Sequence, residues 1–297
     1  MHVAITGATG LIGSPLVSAL RASGHSVTRL VRSSPATGDR LWDPAAGVLD
    51  ASALDGVDAV VHLAGAGIGD RRWTAEYKSL IRSSRVASTE LLARTIAGMS
   101  HGPKVLLSGS AIGIYGNRGD ETLDESSTLG TGFLAEVCKD WEAATAPAEQ
   151  AGTRVVHLRT GIVLTPQGGA LKKLLPLFRF GLGGRFGNGR QWQSWISIDD
   201  EIAAIIALLT ADVQGPVNLT APHPVTNADF SSTLARVLKR PAFLPVPSFG
   251  PGIAVGRELA ENLLFHSQRV LPTTLSGTGY RFAHEHLEDA LRHLLAR

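Results

Sequence analysis

The sequence predicts an α/β protein, a doubly wound parallel sheet followed by a smaller C-terminal α+β lobe. Three observations carry this prediction. A β-prone run at the N-terminus breaks at a glycine turn into an amphipathic helical stripe; apolar strands alternate with helical patterns as far as Arg159; and prolines mark a change of character after Leu219. The sheet domain is expected over residues 1–221, with a ligand-facing segment around 165–195, and the small lobe over 222–297.

Composition narrows the classes. With 297 residues, 44% hydrophobic and 18% charged, the chain can bury a large core and is not a charge-rich disordered one. Lys plus Arg number 28 against 26 for Asp plus Glu, and a net charge of +2 gives no general field for nucleic acid or an anionic membrane. The one cysteine, Cys138, excludes an intramolecular disulfide and a cysteine-rich zinc site, which fits a reducing cytoplasm. No run reaches the roughly 18 apolar residues of a membrane span, and a strand-like stretch begins at once where a leader would lie.

The first element is His2–Thr6, followed by Gly7-Ala8-Thr9-Gly10-Leu11-Ile12-Gly13, with Leu11, Ile12, Leu16, Val17 and Leu20 at helical spacing. Such glycines let the chain turn sharply, let its amides approach a pyrophosphate and let helix pack on strand, while the helix N-terminus supplies positive potential. Gly7, Thr9, Gly10, Leu11 and Ile12 are therefore expected to bind a dinucleotide. Ser26–Val31 reads as the second strand, and the residue at its end, where an acid would hold an adenosine ribose, is Arg32. A forked guanidinium suits a 2′-phosphate, with Ser33 and Ser34 as extra hydroxyls, so the expected cofactor is NADP(H) rather than NAD(H).

Ala59–Gly65 is a near-continuous apolar strand, and its end, Leu63, Ala64 and Gly65, would admit a ring or ribose. His62 within it reads as a hydrogen-bonded core residue, because strand position gives it no proton-transfer partner. The helical pattern from Trp73 to Gly98 puts Ile81, Arg85, Ser88 and Leu92 on one stripe. If that stripe faces the sheet, Arg85 is an inward charge that needs a partner such as a phosphate; otherwise it is a surface arginine. Val105–Ser110 is a fourth strand ending in Ser108, placed beside the cofactor, and Ser110; Ala111–Gly116, with Tyr115, follows.

These segments together, GxxGxxG at Gly7–Gly13, His62-Leu63-Ala64-Gly65, and serines followed by Tyr115-Gly116, resemble the extended short-chain dehydrogenase/reductase superfamily. A narrower likeness, to its atypical nucleoside-diphosphate-sugar-epimerase-like or cell-division-inhibitor-like subgroup, rests on further segments. They are Trp42-Asp43-Pro44, Trp73 with Ser84-Arg85-Val86, Phe133 to Cys138 with Trp141-Glu142, Gly181 to Gly184, Trp195-Ile196, Arg240-Pro241 and Gln268 to Pro272. The resemblance implies a Rossmann domain binding NADP(H) at the carboxyl ends of its strands, and a small lobe covering a small polar substrate. It implies an oxidoreductase or epimerase-like activity.

In that superfamily a Tyr-x-x-x-Lys pair on one helix face transfers the proton. Here the residues four after Tyr77, Tyr115 and Tyr280 are Ile81, Gly119 and His284, so the pair is absent. Aligning Trp141-Glu142 with the end of the family's helix puts Leu134 and Cys138 in its place, and Lys139 points about 100° away. The resemblance leaves Ser110, at the position that polarises a carbonyl, and Tyr115 as candidate catalytic residues. A second reading is a catalytically silent NADP(H)-dependent sensor or interaction protein linked to cell division.

Other chemistries lack their patterns. No G-x-S-x-G surrounds Ser108 or Ser110, and His284-Glu285-His286 lacks the spacing that puts two imidazoles on one helical face, so no metal site is expected. Lys172, Lys173, Arg179, Arg185 and Arg190 lie among glycines before Trp192 and Trp195, and are read as facing an anionic small-molecule substrate, with the tryptophans stacking on it. The alternative for Lys172 and Lys173 is a solvated face. Asp199-Asp200-Glu201 reads as a helix start. His286, Leu287, Ala290, Leu291, Leu294 and Leu295 form a terminal apolar stripe, either core or a homodimer face.

Overall fold

The computed structural model describes residues 1–241, 246, 252 and 256–296. Seven strands form one sheet: β1 (His2–Thr6), β2 (Ser26–Val31), β3 (Arg40–Leu41), β4 (Ala59–His62), β5 (Val105–Ala111), β6 (Arg154–Thr160) and β7 (Gly215–Leu219). Their spatial order is β7-β6-β5-β4-β1-β2-β3, with every neighbouring pair parallel. The chain runs outward from β1 through β2 and β3, then crosses back to β4 on the other side of β1. A crevice opens outside the carboxyl ends of strands at such a reversal.

Side-chain alternation along β1 explains the two layers around it. Val3 and Ile5 pack with Leu16, Val17 and Leu20 of α1 (Gly13–Ala22) and with Ile202, Ile205 and Leu208 of the helix Ile198–Leu208. Ala4, on the opposite face, packs with Leu30, Val60 and Leu106 and with Leu92, Ala93 and Ile96 of α2 (Ala75–Ala97). Thr74 caps α2 by accepting from the Tyr77 amide at 3.2 Å, and Gly98 follows its last turn. Leu16 and Leu20 are fully buried, so truncating either to alanine would cost about 2–5 kcal/mol.

A second core joins residues from both sides of position 221. Leu164, Leu171, Leu175, Phe178 and Trp195 pack with Phe230, Leu234 and Val237 and with Leu287, Ala290 and Leu291 of the last helix, Leu287–Leu294. Of the terminal apolar stripe, Leu287, Ala290 and Leu291 are thus core, Leu294 and Leu295 pack against it partly buried, and His286 is exposed. Asp200, at 1% exposure, holds the tail in place by accepting from the amides of Ala283 at 2.7 Å and His284 at 3.0 Å and from the Tyr280 hydroxyl at 3.2 Å. Of the prolines after Leu219, Pro245, Pro247 and Pro251 lie outside the described residues. No helix among the described residues is long and apolar enough to cross a membrane.

Candidate functional site

The turn after β1 is built for close approach. Gly7 has φ +66, and a Cβ there would lie 2.7 Å from the Leu63 carbonyl carbon; a Cβ at Gly13 would overlap the Gly7 carbonyl oxygen. The Gly10 amide donates to the Gly7 carbonyl at 2.9 Å, while Thr9, Gly10 and Leu11 stay exposed. Helix α1 starts at Ile12 with neither a side-chain cap nor an acidic residue in its first turn, leaving positive potential for an anion. Thr6 fixes the facing wall, its Oγ1 accepting from the amides of Leu63 at 3.1 Å and Ala64 at 3.2 Å. The structure therefore brings Gly7, Gly10, Leu63 and Ala64 together around the carboxyl ends of β1 and β4.

His62 belongs to this scaffold as a core histidine. Its Nδ1 lies 2.6 Å from Thr6 Oγ1 and its Nε2 lies 3.1 Å from Ser88 Oγ, and burial, with Arg85 adding to it, pushes its pKa down to about 3. It stays neutral. Arg32 follows β2, exposed, and pairs with no carboxylate among the described residues. Ser108 is fully buried, with its hydroxyl lacking a hydrogen-bond partner.

Beside the β5 end lies a cavity of about 250 Å³. Arg85 lines it from α2: the sheet-facing alternative holds, and the guanidinium reaches within 3.2 Å of where a Cβ on Gly65 would stand. It sits 5.1 Å over the Trp141 ring and donates to the Ile81 carbonyl at 3.0 Å, and no carboxylate pairs with it among the described residues. A partly buried guanidinium without an acid favours an anionic or strongly accepting ligand. Trp141 Nε1 and Gln193 Oε1 are buried without hydrogen-bond partners, and both residues line the same cavity.

Ser110 lines the cavity too, but its hydroxyl donates to Glu142 Oε1 at 2.7 Å. Glu142, on α3 (Phe133–Ala143), is gripped by Arg159 of β6, with Nε and Nη2 donating at 2.8 and 2.9 Å. Burial pushes the Glu142 carboxyl up, and the guanidinium more than reverses this, holding it below the usual carboxylate range. Ser110 therefore presents lone pairs, where the resemblance had it polarising a carbonyl by donating its proton.

Tyr115 is placed differently from Ser110. It is fully buried, outside the cavity lining, and its hydroxyl donates to Asn218 Oδ1 at 2.8 Å while accepting from Arg159 at 3.0 Å. Burial keeps its phenol above the ordinary range despite Arg159. The structure joins it to the Glu142–Arg159 network and keeps it from the space where a substrate would lie.

Leu134 and Cys138 line the cavity, and Lys139 turns away to Glu136 at 3.0 Å. Trp192 and Gln193 line it, while Arg185 and Arg190 are exposed and do not. Trp195 is a correction: it is fully buried in the second core, its Nε1 donating to the His223 carbonyl at 3.2 Å, because it lies on the strand Trp195–Ser197 paired with Ile162–Leu164. Lys173 reaches the Gly69 carbonyl at 2.8 Å.

Sequence reasoning missed two parts of the site. The Glu142–Arg159 pair had a signal, a charge inside the apolar strand run of β6, which demands a partner. The wall formed by Asn262, Leu263, Leu264, His266 and Gln268 had only the coarse expectation of a C-terminal lobe over the substrate, because long-range folding selects the residues that reach the cavity. Away from the cavity, Asp199, His284 and His293, and separately His223, Glu285 and His286, each gather ligand atoms within 4.8 Å of one another at the surface.

Two family models match the chain. Residues 3–220 match the NAD dependent epimerase/dehydratase family, and residues 246–294 match a domain of unknown function, DUF1731. Epimerase family protein Mb2239 of Mycobacterium bovis is 47% identical over 99% of this chain and 98% of its own length. The crystal structure of human epimerase family protein SDR39U1 with NADPH is similar at 35% identity and TM-score 0.92, covering 100% of both chains. A nucleoside-diphosphate sugar epimerase structure from Corynebacterium glutamicum is 40% identical with TM-score 0.83, covering 99% of this chain and 58% of that one.

Proposed function

Because the chain belongs to the NAD dependent epimerase/dehydratase family, we propose that it is an NADP(H)-dependent oxidoreductase or epimerase-like enzyme acting on a small polar substrate. The observation that carries this reading is the turn at Gly7–Gly13, where no Cβ fits at Gly7 or Gly13, set beside a cavity whose arginine has no acidic partner among the described residues. The NADPH-bound relative supports the choice of cofactor.

When bound, the cofactor supplies or accepts hydride at its nicotinamide. The chain's own residues provide the rest. Gly7, Thr9, Gly10, Leu11 and Ile12 would hold the pyrophosphate at the start of α1, and Arg32 would meet the 2′-phosphate with a forked donor. Leu63, Ala64 and Gly65 would face the ribose and ring, with Arg85 close to Gly65 supplying positive charge. Ser110, its proton directed to Glu142, offers an acceptor to a substrate hydroxyl. Trp141 Nε1 and Gln193 Oε1 add one donor and one acceptor, and the apolar walls of Ile68, Ile81 and Ile162 exclude water.

The sheet domain over 1–221 thus holds the cofactor, while the C-terminal lobe closes the substrate side. A second reading, a cofactor-bound sensor without turnover, is favoured by Leu134 and Cys138 at the cavity in place of an acid/base pair. Fluorescence titration with NADPH and NADH, followed by single-turnover assays with aldehydes, ketones and nucleotide sugars, separates the possibilities. Tighter binding of NADPH with its oxidation by any substrate supports the enzyme. Tight binding without oxidation supports the sensor, and absence of NADPH binding overturns both.

A further inference from the structure

Resting on the reading that hydride transfer takes place in this cavity, we propose that His266, carried by the C-terminal segment, is the catalytic residue that moves the proton there. The chain lacks the tyrosine and lysine of its superfamily, so the proton must come from another group that touches the substrate space. Three titratable side chains line the cavity among the described residues: Arg85, Cys138 and His266. A guanidinium does not give up its proton near neutrality. The Cys138 thiol is pushed up to about 12 by burial, with Glu142 adding to it, and stays protonated. Of the three, the imidazole alone exchanges a proton in the working range.

The geometry holds His266 for this task. It follows a π-helical turn, Glu261–Phe265, and its amide donates to the Glu261 carbonyl at 3.0 Å. Such turns recur at functional sites. The two residues after it are fastened to the loop beyond β5: the Ser267 amide donates to Asn117 Oδ1 at 3.0 Å, and Gln268 Nε2 donates to the carbonyls of Ile112 and Gly116 at 3.1 and 3.0 Å. Ser110 lies near the end of β5, and it lines the same cavity as His266. Among the described residues no side chain hydrogen-bonds to the His266 ring, which leaves its nitrogens to a ligand.

Burial draws the imidazole below its ordinary value, and Glu261, on its own segment, opposes this. Among the described residues Arg85 is the other charged group of the cavity wall, and Glu142 lies behind Ser110 with its charge matched by Arg159. In reduction, hydride from NADPH bonds to the carbonyl carbon, the C=O π pair moves to oxygen, and protonated His266 gives its ring proton to that oxygen. An alcohol, NADP⁺ and neutral His266 result. In oxidation, neutral His266 takes the hydroxyl proton as hydride leaves the carbon for NADP⁺. The segment matching the domain of unknown function would then complete the active site.

The test uses the full chain with NADPH and 4-nitrobenzaldehyde as carbonyl probe, comparing wild type, His266→Gln and His266→Ala. In wild type, kcat/KM for reduction should fall as pH rises through an imidazole pKa below 6.5. His266→Gln should lower it by about 10²–10⁴-fold and remove that limb. NADPH affinity and melting temperature should stay unchanged, and added imidazole should restore part of the activity of His266→Ala. Retention of the wild-type rate within threefold, or of the same pH limb, in His266→Gln overturns the assignment while leaving the oxidoreductase reading intact. Failure of the wild type itself to oxidise NADPH with this probe and with every aldehyde, ketone and nucleotide sugar of the panel above overturns that reading, and the role of His266 with it.

Discussion

Glu201 gives the sharpest physical test of the fold. It is fully buried, its Oε1 accepts from Thr160 Oγ1 at 2.9 Å, and its Oε2 has no hydrogen-bond partner. Burial pushes the carboxyl from an ordinary 4.5 up to about 8, with the Thr160 hydrogen bond opposing, so it is protonated in the native state at neutral pH. In the unfolded chain the same group ionises near 4.5. Between these values the native state binds the extra proton, so stability is full below pH 4.5, falls as pH rises to about 8, and then levels off. The whole gap corresponds to roughly 5 kcal/mol, an upper bound because water entering the site eases the ionised form. Glu201→Gln keeps the shape and the Thr160 contact but does not titrate. Urea denaturation of both proteins at pH 5.5 and pH 8.5 should show wild type losing about 3 kcal/mol relative to the variant across this interval. Parallel losses within about 0.5 kcal/mol would refute the reasoning.

Three further outcomes follow from the same geometry. Arg32→Ala should weaken NADPH by about 1.5–3 kcal/mol and NADH far less, read by fluorescence titration; equal losses contradict the 2′-phosphate assignment. Gly7→Ala places a Cβ 2.7 Å from the Leu63 carbonyl carbon at φ +66, and should destabilise the protein by about 2–4 kcal/mol in urea melts while abolishing NADPH binding. Tyr115→Phe removes the hydroxyl between Asn218 and Arg159 and should cost about 1–3 kcal/mol of stability while leaving turnover within a fewfold of wild type; loss of turnover by 10²-fold or more would place Tyr115 in the chemistry.

Local signals carried much of the fold. The turn from His2 to Leu20 declared itself because strand, glycines and helical stripe are contiguous, and Ser26–Val31 was delimited by the change from apolar alternation to Arg32, Ser33 and Ser34. Arg85 could be read as a conditional: its stripe either faced the sheet or did not, and packing decided. Glu142 and Arg159 meet because parallel β5 and β6 set Ser110 beside Arg159, a relation invisible to spacing along the chain. Trp192 and Trp195 looked alike in sequence, yet one lines the cavity and the other fills a core, because three residues along an extended segment reverse the side-chain direction. Residues 262–268 carry no motif that announces a cavity wall, since their role depends on contacts more than 140 residues away, such as Gln268 with Gly116.

That one wall of the cavity comes from residues 262–268, long after β5 in the sequence, orders its assembly. During vectorial synthesis the glycine turn and β4 emerge early, whereas the chamber beside β5 lacks one of its walls until residues 262–268 have followed. Docking of the later segment, latched where Asp200 accepts from the amides of Ala283 and His284, is therefore the step that walls the chamber in.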